Sequence, residues 1–173
     1  MIRTERLRLL PLREDDRTSL FAIYGDPSTV RYLPEEAWTA SNVDEAFGKK
    51  LRFAKRGDAF FYVVTLQGMR IGTISAWHTA MKDTWEIGFV FHKSYRHKGY
   101  ATEAARAVVE DLFTRDDVHR IQACLDARNI PSARVCERIG MRLEAHFIQD
   151  YWNKEEWTDS YIYGMLEEDL IAD

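Results

Sequence analysis

Residues 96–102 read Arg-His-Lys-Gly-Tyr-Ala-Thr, so three basic side chains and a glycine stand directly before an apolar helical pattern. Unpaired main-chain N–H groups at a helix start, backed by the helix dipole, attract anions. Gly99 can take a positive φ and let a phosphate come close to the backbone. Arg96, His97 and Lys98 add side-chain charge beside those amides. This spacing suits the cradling of a phosphate or pyrophosphate. The bland alternative is a helix entry with a glycine turn and solvated charges. Upstream, Glu86 lies within the apolar strand pattern of residues 85–91. By itself a carboxylate on that strand reads as a surface or hydrogen-bonded strand residue.

Two common nucleotide motifs are absent. The chain contains no Gly-x-Gly-x-x-Gly and no Gly-x-x-x-x-Gly-Lys-Ser/Thr, which argues against a dinucleotide dehydrogenase and a mononucleotide kinase. Twenty-four basic residues against 28 acidic ones give a net charge of -4, the wrong sign for a nucleic-acid partner. His78, His92, His119 and His146 are scattered without metal-ligand spacing, so no metal is expected. Cys124 and Cys136 cannot make a disulfide framework. Both are expected to be reduced and buried in a cytoplasmic protein. No apolar run approaches the ~20 residues that span a bilayer. The first six residues, Met-Ile-Arg-Thr-Glu-Arg, do not read as a signal peptide, so no membrane partner is expected.

The elements that must position these groups follow from periodicity. With 173 residues, 46% apolar and 30% charged, the chain is expected to form a single domain over 1–173. A strand is predicted over 6–13, then a helix opening on Glu14, Asp15 and Asp16 and carrying Leu20, Phe21 and Tyr24 inward. A second helix runs from Ser41, as N-cap, to Arg56. Strands at 60–66, 70–77 and 84–91, with Gln67-Gly68 and Lys82-Asp83 between them, form an antiparallel meander. Ala101, Ala104, Ala105, Val108, Leu112 and Phe113 make one stripe of a long helix. A strand at 119–125, a helix at 131–139 with Pro131 at its start and Gly140 at its end, and strands at 143–151 and 157–165 complete the chain. The order βααβββαβαββ is that of an α+β domain with a mixed sheet.

Several blocks together resemble the GNAT acetyltransferases, in particular the RimJ/RimL-like branch that modifies ribosomal-protein N-termini. Arg96-His97-Lys98-Gly99-Tyr100-Ala101 resembles the family's Gln/Arg-x-x-Gly-x-Gly/Ala pyrophosphate loop. Thr4-Glu5-Arg6-Leu7-Arg8-Leu9 resembles the branch's opening strand. Asn129-Ile130-Pro131-Ser132 and Glu137-Arg138-Ile139-Gly140-Met141 resemble its Asn-x-x-Ser and Glu-Lys-x-Gly-Phe segment. The stretch from Glu156 to Gly164 resembles its closing strand. The blocks keep the family's order across almost the whole chain.

The resemblance implies a central, mostly antiparallel sheet of about seven strands, flanked by helices and splayed in the middle for acetyl-CoA. It implies main-chain contacts to the pantetheine arm from Phe89, Val90 and Phe91, and pyrophosphate contacts from Arg96, His97, Lys98, Gly99, Tyr100, Ala101 and Thr102. Asn129 and Ser132 fall near the thiol end. A main-chain N–H around Phe89 is the implied donor to the developing oxyanion. Glu86 is the implied base, and Asp150 a second candidate, because the branch carries an acid on the penultimate strand. Where many relatives have a proton-donating tyrosine, this chain has Cys136, more in keeping with a small buried hydrophobe. Ser132 matches the serine that the branch uses instead, unless it only caps its helix. The implied acceptor is a primary amine, foremost the α-amine of a peptide or ribosomal protein. A small amine, such as a polyamine, amino acid or aminoglycoside, and a non-catalytic acetyl-CoA-binding module are the alternatives. A homodimer is left open.

Overall fold

A computed structural model describes residues 1–115 and 117–170. The strands are β1 (Ile2–Arg3), β2 (Leu7–Pro11), β3 (Ala59–Leu66), β4 (Met69–His78), β5 (Thr84–Phe91), β6 (Arg120–Asp126), β7 (Arg142–Asn153) and β8 (Glu156–Met165). The helices are α1 (Arg17–Tyr24), α2 (Pro27–Val30), α3 (Val43–Ala54), α4 (Tyr100–Phe113) and α5 (Ile130–Arg138). All eight strands join one sheet in the order β1-β2-β3-β4-β5-β6-β8-β7. Every neighbouring pair is antiparallel except β5 and β6, which α4 connects as a parallel crossover.

The sheet has one strand more than expected, because Ile2 and Arg3 pair with Leu9 and Arg8. The acidic triplet at 14–16 forms a single 3-10 turn before α1, not the first turn of that helix. Asp16 is buried there, accepting from the Arg13 N–H and from Arg70 Nε at 2.9 Å. Helix α2 escaped the periodicity reading because four residues carry no period. It forms because Asp26 accepts from the Ser28 N–H and Pro27 fits a first helical turn. The N-cap of α3 is Asn42, not Ser41, whose hydroxyl pairs with that of Thr39.

Strand alternation divides the core between the two faces of the sheet. One face sets Leu7, Leu9, Val64, Ile71, Ile74 and Ile87 against Ala104, Ala105, Val108 and Leu112 of α4 and Cys136 and Ile139 of α5. The other sets Phe61 and Val63 against Leu20, Ile23, Val43 and Phe47 of α1 and α3. Small alanines on α4 let that helix lie close to the strands.

The functional consequence comes from one interrupted ladder. Strands β5 and β6 pair only from Thr84↔Arg120 to Glu86↔Gln122. Beyond that point β5 runs on to Phe91 beside β4, while β6 follows β8 as far as Asp126↔Ser160. The two strands diverge, and a wedge opens in the middle of the sheet. Among the described residues, no helix is long and apolar enough to cross a membrane.

Candidate active site

The β4–β5 register decides which main-chain groups face the wedge. Thr79 N–H bonds to Thr84 O at 2.8 Å and His92 N–H to Ile71 O at 2.9 Å, so the even-numbered residues of β5 bond towards β4. Antiparallel ladders alternate. The N–H groups of Phe89 and Phe91, which lie beyond the last β5–β6 rung, therefore point into the opening. The sequence-derived donor, the Phe89 N–H, has the required direction.

At the end of β5 the chain enters α4 through Gly99, the N-cap, with φ 80° and ψ -4°. His97 also lies at positive φ, 60°. These two left-handed residues turn the loop back and present the first amides of α4 to a cavity of about 360 Å³. Its walls include Phe89, Val90, Phe91, Arg96, His97, Gly99, Tyr100, Ala101, Thr102, Asn129 and Ser132. Among the described residues no Asp or Glu lines it. A slot with helix-start amides, a glycine at its mouth and no carboxylate fits the diphosphate and arm of acetyl-CoA.

Two of the basic residues have other work. Arg96 donates from Nε to Phe91 O at 3.2 Å and from Nη2 to Thr29 Oγ1 at 2.9 Å, bracing the end of β5 against α2. Lys98 does not line the cavity, against the expectation for its side chain. Its ammonium reaches Ser94 O at 3.0 Å, and its carbonyl accepts from Arg6 Nη1 at 3.1 Å. Arg6 also donates from Nε to Glu103 Oε2 at 2.6 Å and lies over the Tyr100 ring at 4.6 Å. The opening strand thus clamps the loop from behind, a role the sequence did not disclose.

A second cavity, of about 390 Å³, meets the first at Tyr32, Leu33, Phe89, Val90, Asn129 and Ser132. Glu86 lines this second cavity, so Glu86 and Ser132 are brought to its walls together. Burial raises the Glu86 pKa above the ordinary carboxylate value, opposed by a 2.9 Å hydrogen bond from Gln122 Nε2. A carboxylate held in this way accepts a proton readily. Asn129 Oδ1 accepts from the Ser132 N–H at 3.3 Å and caps α5. Asn129 thus does the capping, and the Ser132 hydroxyl has no hydrogen-bond partner among the described residues.

Asp150 is exposed on a bulged stretch of β7 and lines neither cavity. It is near enough to Cys124 to help raise that thiol, which burial, Glu86 and Asp150 together push up to about 11. Cys124 was expected to be buried. It is exposed, because the divergence of β5 and β6 lets solvent reach it through the second cavity while protein still crowds its sulfur. Cys136 is fully buried against α4, and burial pushes its thiol up to about 12. It lines neither cavity and acts as a core residue.

The far wall of the second cavity is built by residues that sequence reasoning did not connect. Tyr24 stacks on Trp38 at 4.9 Å and its hydroxyl pairs with Thr73 Oγ1 at 2.7 Å. Lys50 Nζ sits 4.1 Å from the centre of the Tyr24 ring and 2.8 Å from Glu35 Oε1. Burial pulls the Lys50 pKa down, but Tyr24 and Glu35 outweigh it and hold the ammonium above its ordinary value. Among the tryptophans, Trp85 is core, Trp77 lines the cavity, and Trp152 and Trp157 pair at 5.3 Å on the exposed final hairpin.

Known proteins share this arrangement. The family described as acetyltransferase (GNAT) domain matches residues 6–142. An uncharacterized N-acetyltransferase of Bacillus subtilis, YnaD, is 34% identical over 97% of this chain and 98% of its own. The crystal structure of a GNAT-family acetyltransferase from Bacillus anthracis superposes with a TM-score of 0.87 at 32% identity, covering 96% of this chain and 98% of that one. Two more distant structures share the fold at 17% identity and a TM-score of 0.83. One is RimL, a ribosomal L7/L12 α-N-protein acetyltransferase in complex with coenzyme A, covering 94% of this chain and 95% of its own. The other is a spermidine N-acetyltransferase of Vibrio cholerae in complex with CoA and spermine, covering 96% and 98%. A β-wedge, a left-handed glycine before α4 and the match over most of the length agree: the chain belongs to the GNAT family and is an acetyl-CoA-dependent N-acetyltransferase of the GNAT type.

Proposed function

We propose that the protein transfers an acetyl group, in the cytoplasm, to the primary α-amine at the N-terminus of a peptide or ribosomal protein, by direct attack in a ternary complex. The charge pattern of the second cavity is the observation that carries the reading. Three carboxylates line it: Glu35, Glu86 and Asp126. Glu35 is paired with Lys50 at 2.8 Å and Asp126 with Arg128 at 2.7 Å, which leaves Glu86 without a cationic partner among the described residues. One cation therefore has a counter-charge there, as a single α-ammonium requires. The aromatic walls, Tyr32, Phe61, Trp77 and Tyr151, suit the uncharged part of such an acceptor.

Acetyl-CoA supplies the activated acyl group. Glu86 takes a proton from the ammonium, directly or through water, and the neutral nitrogen forms the new N–C bond as the C–S bond breaks. The Phe89 N–H faces the carbonyl oxygen as charge develops on it. The Ser132 hydroxyl, at the meeting of the two cavities, returns a proton to the departing sulfur. Asp150, at the exposed edge, is the alternative base.

A small polycation is the second reading, and one feature favours it. The adjoining cavity, about 630 Å³, shares Glu35, Lys50, Phe61, Ser75 and Trp77 with the second and carries Glu36, which has no ion-pair partner among the described residues. Mass spectrometry of acceptors incubated with enzyme and acetyl-CoA tests the choice. Acetyl adducts on the α-amines of N-terminal peptides are expected. Efficient turnover of spermidine or an aminoglycoside with the peptides inert overturns the reading.

A further inference from the structure

The second cavity and the acidic one beside it share a wall, and a cation is fixed in that wall. Glu35, Lys50, Phe61, Ser75 and Trp77 line both cavities. An acceptor with one ammonium at Glu86 and the next at Glu36 has to run past these side chains. Glu45, the other carboxylate of the adjoining cavity, is already paired with Lys49 at 2.8 Å. What a polyamine meets on this path therefore depends on Glu35 and Lys50.

Lys50 rises from α3, and its ammonium is held from several sides. Nζ lies 4.1 Å from the centre of the Tyr24 ring, 5.7 Å from that of Phe61 and 5.8 Å from that of Trp38. It donates to Glu35 Oε1 at 2.8 Å, while Glu35 Oε2 accepts from Trp38 Nε1 at 2.9 Å. Both carboxylate oxygens are engaged, so a further cation meets a charge that is already neutralised. The Lys50 side chain is only 17% exposed, and water and salt screen such a pair poorly. Burial alone would lower its pKa, but Tyr24 and Glu35 outweigh burial and keep it charged. The pair also ties α3 to the segment that carries Glu35 and Trp38. Two apolar side chains of similar volume often make such a tie at no loss of stability, so the tie does not account for the charges.

We propose that Lys50 determines acceptor specificity: by neutralising Glu35 at the wall between the two cavities, it makes the enzyme select a monoamine and reject a polyamine. This deepens the acceptor reading above and rests on it. A peptide α-ammonium needs one counter-charge, and Glu86 supplies it. A polyamine carries its positive charges along one flexible chain, so seating one of them at Glu86 drives the next towards a wall where a cation already stands. Like charges repel more strongly in a partly dry site than in water. Selection then comes from a repulsion built against the wrong acceptor as well as from an attraction for the right one.

Steady-state kcat/KM for a short lysine-free peptide amide and for spermidine, at saturating acetyl-CoA, reads the selectivity as a ratio. Lys50→Met keeps an unbranched stem and frees Glu35. It is expected to lower the peptide-to-spermidine ratio at least tenfold, about 1.4 kcal/mol of discrimination. Glu35→Gln keeps an acceptor oxygen but leaves the ammonium uncompensated, and is expected to raise the ratio. Lys50→Arg, which keeps the charge, should hold it. A role confined to tying α3 down would depress both acceptors together and leave the ratio constant in every variant. An unchanged ratio in a Lys50→Met protein with a cooperative melt overturns the proposal. Where Lys50→Met does not fold, an unchanged ratio in Glu35→Gln does the same. A wild-type enzyme that prefers spermidine, or acetylates neither acceptor, refutes the acceptor reading itself, a result told apart from lost discrimination because it needs no variant.

Discussion

Replacement of Gly99 tests whether the loop that opens α4 holds the coenzyme, and its cost can be worked from two measurements. Gly99 sits at φ 80°, where an L-residue loses about 1–2 kcal/mol relative to the right-handed region. A Cβ built there lies 3.3 Å from Arg6 Nη2, closer than comfortable contact. Arg6 can swing away, but it then loosens its bonds to Glu103 and to the Lys98 carbonyl. The strain has two outlets. If the loop keeps its shape, the cost appears as lost stability, a fall in melting temperature of about 2–8 °C for a chain of this size. If the loop relaxes to negative φ, the amides of α4 turn from the slot and the same 1–2 kcal/mol appears as a roughly 5- to 30-fold weaker Kd for CoA. Gly99→Val, being β-branched, is expected to take the second outlet and lose at least tenfold; Gly99→Asn, which tolerates the left-handed region, should lose least. Calorimetry and thermal melts of the three proteins separate the outlets. A folded Gly99→Val with unchanged Kd removes the loop from the coenzyme site, whatever its melting temperature.

Glu86→Gln keeps the shape and an acceptor for Gln122, so kcat is expected to fall roughly 10²-fold while CoA affinity holds. The direction of the Glu86 shift adds a stability signature. A carboxyl whose folded pKa lies above its unfolded value loses native stability as pH rises from the ordinary carboxylate range through the raised pKa. The glutamine variant should therefore match wild type in acid and melt higher at neutral pH; matching pH–rate profiles for Glu86→Gln and Ser132→Ala would instead move the proton work to water or Asp150. Arg6→Ala touches a residue outside the slot. Its pair with Glu103 is partly exposed and contributes at most about 1 kcal/mol. A rise of about threefold to fivefold in Kd for CoA, with kcat unchanged at saturation, is expected from steady-state kinetics and calorimetry; unaltered Kd would show that the opening strand does not brace the loop.

The local features of this site were legible because each rests on a short stretch of chain. A glycine after three basic residues marks a helix entry that can hold an anion, and the structure has that entry with the glycine left-handed. Charge alone did not disclose the further contacts of these side chains: Arg96, which lines the slot, also bonds to Phe91 and Thr29, and Lys98 reaches Ser94 instead of lining it. A one-dimensional pattern gives a side chain's chemistry but not which neighbour reaches it first. Helix α2 was invisible for want of length, and the Tyr24–Lys50–Glu35 wall because its members come from three separated segments that meet only when α1 and α3 pack on the sheet.

The wedge itself belongs to neither category, since periodicity predicts strands and is silent about where two of them stop pairing. Three residue pairs hold β5 to β6, and the fourth does not form. That stop falls immediately after Glu86, so the carboxylate is anchored to Gln122 by the last rung while its oxygen faces the opening that begins beyond it. The same stop frees the main chain of Phe89 and brings Cys124 into solvent. A carboxylate kept dry enough for a raised pKa and a main-chain amide with no strand partner are thus two effects of one broken ladder. Any substitution that zipped β5 to β6 beyond Glu86 would remove both at once.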